Sequence, residues 1–128
     1  MLSFGIVVEL IARVTYFSFL KGEYMTNVAL WVQLEAKKGK EAEVERFLRD
    51  GLTIVNNEAE TITWYALKLS PTSYAIFDTF SDNKGREAHL AGRVAKALKE
   101  KASDLFSKPP TIERIDILAA KLPELEQY

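Results

Sequence analysis

Residues 74–94 read Tyr-Ala-Ile-Phe-Asp-Thr-Phe-Ser-Asp-Asn-Lys-Gly-Arg-Glu-Ala-His-Leu-Ala-Gly-Arg-Val, and the fold turns on how this stretch divides. Tyr74, Ala75, Ile76 and Phe77 are aromatic, β-branched or small, which predicts a buried strand. Ser81 or Asp82 then offers a side-chain oxygen to the free N–H groups of a helix start. About two turns into that helix stands His89, the single histidine of the chain. Its imidazole is the group best suited to proton transfer near neutral pH.

Downstream, Ala91, Val94, Ala95, Leu98, Ala102 and Leu105 form an apolar stripe, so the helix is predicted to run from Asp82 to Phe106 with a break at Gly92. On an unbroken helix His89 would project roughly opposite that stripe. A break at Gly92 lets the two halves present different faces. Lys108-Pro109-Pro110 stops the helix, and Ile112 to Ala120 is predicted as a strand.

Upstream, Val28 to Glu35 alternates, with Val28, Leu30, Val32 and Leu34 on one face. Lys37-Lys38-Gly39-Lys40 is a turn. Glu41 to about Asn56 carries Val44, Phe47, Leu48, Gly51 and Val55 at helical spacing. Thr61 to Leu69 is a second strand, with Ile62, Trp64 and Ala66 on one side and Thr63, Tyr65 and Leu67 on the other. Ser70-Pro71-Thr72-Ser73 turns it into the strand at Tyr74.

The order strand, helix, strand, strand, helix, strand is the α+β, ferredoxin-like split βαβ arrangement, a four-stranded antiparallel sheet with helices on one face. The opposite face, carrying Trp31, needs a cover. A second copy of the same sheet supplies it, giving a homodimer, a dimeric α/β barrel.

The chain has 128 residues, enough for one core, and a formal net charge of −1 with no cysteine. Neither nucleic acid nor an anionic membrane has a basic surface to bind. Disulfides, thiol nucleophiles and cysteine-based zinc sites are excluded, and one histidine makes a dedicated metal site an unexpected feature. The glycines do not form a phosphate-cradling loop or a dinucleotide fingerprint. The expected compartment is the cytoplasm. Residues 1–24 are rich in Leu, Ile, Val and Phe, interrupted by Glu9 and Arg13. Their uninterrupted apolar pieces are shorter than a membrane span, and they lack signal-peptide flanks. The domain pattern begins after Met25, so residues 1–24 are expected to be an extension, either not native or packed as an added element, and 25–128 the domain.

Four pieces carry a family resemblance: Leu34-Glu-Ala-Lys-Lys-Gly-Lys-Glu41, Glu60-Thr-Ile-Thr-Trp64, Ile76-Phe-Asp-Thr-Phe-Ser-Asp82 and Glu87-Ala-His-Leu-Ala-Gly92. From Val28 to about Leu122 the chain resembles the antibiotic biosynthesis monooxygenase family of the dimeric α+β barrel superfamily. The resemblance implies a homodimer with a pocket in each subunit between sheet and helices. Relatives of this kind include cofactor-free monooxygenases of quinol-like aromatics, haem-degrading enzymes and isomerases. The position near Val32 is not Asn and Phe80 is not Trp, which argues against haem degradation.

The resemblance implies a cofactor-independent monooxygenase whose partners are dioxygen and a small aromatic or quinol-like molecule. His89 is the expected base and Asp78 its orienter, since a buried carboxylate on a strand needs a partner, either His89 or Arg93. Trp64, Tyr65, Tyr74 and Arg93 are the candidate substrate-binding residues. Large aromatics more often fill a core or an interface, and helix charges more often face solvent. The alternatives are a non-catalytic ligand-binding dimer and an isomerase-type enzyme.

Overall fold

Alternating side chains make β1 (Val28–Glu35) a two-faced strand, and its neighbours follow from it. The computed structural model describes residues 25–123, and Thr26–Leu118 forms one compact unit. The expected extension, residues 1–24, lies outside the described residues. After β1 come α1 (Glu41–Val55), β2 (Thr61–Lys68), β3 (Ser73–Phe80), α2 (Asn83–Leu90), α3 (Arg93–Leu105) and β4 (Thr111–Asp116). The sheet order is β2-β3-β1-β4, with every neighbouring pair antiparallel. This is the ferredoxin-like α+β fold expected from the order of elements.

Leu30 and Leu34 on β1 and Tyr74 and Phe80 on β3 are fully buried, as is Val44 of α1. Val32, Leu34, Tyr74 and Ile76 meet Val44 and Leu48 of α1 and Leu98 and Leu105 of α3 in one core. Each such side chain contributes about 1.5–3 kcal/mol by leaving water. The β1–α1 turn closes through Lys40 N–H donating to the Lys37 carbonyl at 2.9 Å. It needs a glycine at position 39, where φ is +87°. Glu41 and Glu43 then sit in the first turn of α1, where the helix dipole favours negative charge.

Asp82 caps α2, its carboxylate accepting from Gly85 N–H at 2.9 Å. The expected break at Gly92 separates α2 from α3. Gly92 passes so close to the end of α2 that a Cβ there would stand 3.2 Å from the His89 carbonyl oxygen. The last strand is shorter than the sequence predicts, ending at Asp116 rather than near Ala120. Beyond it Leu118 is almost wholly exposed, so no packing extends the strand. Among the described residues no helix is long and apolar enough to cross a membrane.

Candidate active site

Three elements converge on His89. Because α2 ends at Leu90 instead of running on into α3, its own inward face is free to meet the sheet, and His89 is 6% exposed. Asp78 lies on the helix-facing side of β3 with Tyr74, Ile76 and Phe80, and is 1% exposed. The loop after α1 brings in Glu58. His89 Nε2 stands 2.9 Å from Asp78 Oδ2, and His89 Nδ1 stands 2.5 Å from Glu58 Oε1. The Asp78 approach is an ion-pair contact off the line of a hydrogen bond, since neither Asp78 oxygen has a hydrogen-bonding protein partner. The Phe80 ring packs on the imidazole at 5.4 Å between centroids.

A β-bulge completes the cluster. The β2–β3 register slips between Thr61, opposite Phe80, and Thr63, opposite Thr79. One extra residue in β2 turns Thr61 onto the helix-facing side, away from the face that alternation from Thr63 predicts. Its hydroxyl donates to Glu58 Oε1 at 2.9 Å and lies 3.4 Å from His89 Nδ1.

Burial alone would push the His89 imidazole down, but Asp78 and then Glu58 outweigh it and hold it above the ordinary histidine range. Burial pushes the Asp78 carboxyl up, more strongly than His89 pulls it down. With both ring nitrogens protonated and both carboxylates ionised, the cluster carries one net negative charge. Taking up one further proton neutralises it, which a buried site favours. His89, Glu58 and Thr61 line one wall of a cavity of about 300 Å³, with Ile54, Ala88 and Arg93 around it.

The structure therefore brings His89, Asp78 and Arg93 to one region. Tyr65 is not brought to this cavity. Tyr65 sits on the other face of the sheet, half-exposed and stacked on Phe77 at 6.5 Å. Tyr74 is also away from the cavity: its hydroxyl donates to Glu45 Oε2 at 2.8 Å. Burial and Glu45 push that phenol up to about 12. Trp64 faces the helices and packs on Gly51 of α1 and the core, outside the cavity lining. Arg86 is not a free cation for a substrate. Its guanidinium donates to the carbonyls of Ala29 and Ile115 at 3.3 and 3.2 Å and to Asn83 Oδ1 at 2.9 Å, tying α2 to β1 and β4. Sequence reasoning missed Glu58 and Thr61. Glu58 sits in Asn56-Asn57-Glu58-Ala59-Glu60, which reads as a solvated loop, and nothing in Thr61-Ile62-Thr63 signals the bulge. Among the described residues no group of three His, Asp or Glu side chains is arranged to hold a metal ion.

The fold is that of the antibiotic biosynthesis monooxygenases. Two proposed members, from Nitrosomonas europaea and Caulobacter crescentus, superpose with TM-scores of 0.65 and 0.64 at 15% identity. The match spans 72% and 80% of this chain and 99% of each of theirs. The chain belongs to the family of the NE2512 protein of unknown function from Nitrosomonas europaea. That structure is 49% identical, with a TM-score of 0.76 over 78% of this chain and 97% of its own. No protein-family model and no curated protein matches the chain.

Proposed function

We propose that the chain is a cytoplasmic, cofactor-independent monooxygenase that acts as a homodimer on a small aromatic or quinol-like substrate. One observation carries the reading: a buried histidine held between two carboxylates forms the wall of a cavity. The Glu58–His89–Asp78 chain acts as one base: it takes a proton from the substrate, and its net negative charge passes to the substrate carbanion. For an aromatic with an acidic ring CH₂, the resulting carbanion passes an electron to dioxygen, and radical and superoxide combine as a peroxide at that carbon. The cluster returns the proton, and water leaves as the second C–H is lost. One oxygen atom ends in the product carbonyl and the other in water, with no outside reductant. A solved structure from Bacteroides thetaiotaomicron described as a possible oxidoreductase, 11% identical with a TM-score of 0.62, shares the fold.

The dimer reading rests on the sheet's open face. Tyr65, Phe77 and Trp31 stand in one row across β2, β3 and β1, and among the described residues no helix covers that side.

Oxygen uptake with anthrones and naphthoquinols tests the function in wild type and His89→Ala, without added flavin or metal. The expected result is uptake that falls ~10²–10⁴-fold in the variant, with one atom of ¹⁸O₂ in the product. Binding without uptake, indifferent to His89, would replace the enzyme by a ligand-binding dimer.

A further inference from the structure

Two buried polar groups at the cluster keep hydrogen-bonding capacity that no protein group fills. The Trp64 indole N–H is buried without a hydrogen-bond partner, and so is Asp78 Oδ1, while Asp78 Oδ2 has only its ion-pair contact with His89. The β2–β3 register sets Trp64 directly opposite Asp78. Both side chains point to the helices, Trp64 towards Gly51 of α1 and Asp78 towards His89 of α2. Side chains so paired start from Cβ atoms about 4.5–5.5 Å apart. A buried donor and a buried carboxylate therefore rise from opposed positions on the same face of the sheet.

Each buried orphan of this kind costs about 1–3 kcal/mol, more where a charge is involved. The economical solution is one group that both accepts and donates. A hydroxyl does both, and a single buried water is held by two to four such partners. Indole and carboxylate make no direct hydrogen bond, so any link between them runs through a third group.

We propose that a buried water bridges the Trp64 indole N–H and the Asp78 carboxylate, and that Trp64 thereby acts as a positioning residue for His89. The indole N–H polarises the water, and the water donates to Asp78 and stabilises its ionised form. An ionised Asp78 in turn holds the imidazole in place as a cation. Trp64 touches no substrate in this scheme and works entirely through Asp78. The groups that face His89 are Asp78 from β3, Glu58 from the α1–β2 loop and Thr61 from β2, with Glu60 and Arg93 around the same cavity.

The inference deepens the reading of His89 as the centre of the site, but its test needs no turnover. The single histidine gives one set of imidazole signals, so NMR of the full-length protein follows His89 alone. In wild type, the Trp64 indole proton is expected to show a water cross-peak with the sign of a long-lived buried water. In Trp64→Phe the His89 titration midpoint is expected to fall by about half a pH unit or more, because Asp78 loses its donor. In an Asp78→Asn background the same Trp64 change is expected to leave His89 unmoved. Absence of the cross-peak overturns the water, and an unmoved midpoint in Trp64→Phe overturns the positioning role. The cross-peak is read on wild type, so a variant that fails to fold leaves the test intact. Lack of oxygen uptake with a positive result here would refute the proposed function and leave the bridge standing.

Discussion

Glu58 and His89, 31 positions apart, meet at 2.5 Å and join the loop after α1 to the inner face of α2. The contact places a carboxylate on one ring nitrogen while Asp78 takes the other, at 2.9 Å. Removing the imidazole leaves both carboxylates facing an empty centre without their cation. His89→Ala is therefore expected to lose about 3 kcal/mol of stability at pH 7, within the range for breaking a buried pair, and less at pH 5, since burial favours the protonated Asp78 carboxyl as pH falls. Urea unfolding at both pH values measures this. Equal losses at the two would refute the charge argument.

The pH dependence of the wild type has a definite sign. His89 is raised above its ordinary value of 6.5, so its contribution is complete below about that pH and is lost as pH rises through the folded midpoint. Asp78, raised above 3.8 chiefly by burial, works in the same direction. Unfolding free energy is expected to fall as pH rises above the ordinary histidine value. Glu58→Gln removes one carboxylate from the imidazole and is expected to flatten that fall and lower the His89 midpoint. Urea curves at pH 6 to 9 decide it, and a slope unchanged in the variant would refute the assignment to His89.

Thr61 reaches the site through the bulge in β2, so its hydroxyl is a supporting part of the cluster. Thr61→Val keeps the shape and removes the donor to Glu58. It is expected to cost about 1 kcal/mol of stability and to lower oxygen uptake about tenfold or less, far short of His89→Ala. Thermal unfolding and uptake measured side by side check both parts. A loss as large as that of His89→Ala would make Thr61 a catalytic group.

The strand order and the division of 74–94 were readable because they rest on local periodicity and capping, which the residues themselves encode. The Asp78–His89 contact was readable as one of two possibilities, since a buried carboxylate on a strand needs a partner and both His89 and Arg93 follow it. Tyr65 could not be assigned to a face from the sequence, because period-two alternation says which residues share a face and not which face the helices cover. Thr61 and Glu58 were missed for different physical reasons. A bulge reverses facing without changing composition, and a loop glutamate is drawn inward by a partner 31 positions away.

The open face of the sheet gives the last prediction. Trp31, Phe77 and Tyr65 form a row across three strands, with Phe77 between the other two. If a second copy covers this row, a two-fold axis brings each substitution against its own counterpart or close to it. Phe77→Glu then buries like charges without partners, which costs several kcal/mol in an interface, while in a monomer the carboxylate simply meets water. The wild type is expected to sediment as a dimer and Phe77→Glu as a folded monomer with unchanged secondary structure by circular dichroism. The cavity beside His89 lies on the helix side, so the monomer is expected to keep a His89 titration close to that of the wild type. A wild type that sediments as a monomer at micromolar concentration would refute the dimer. A Phe77→Glu dimer would move the interface to another surface.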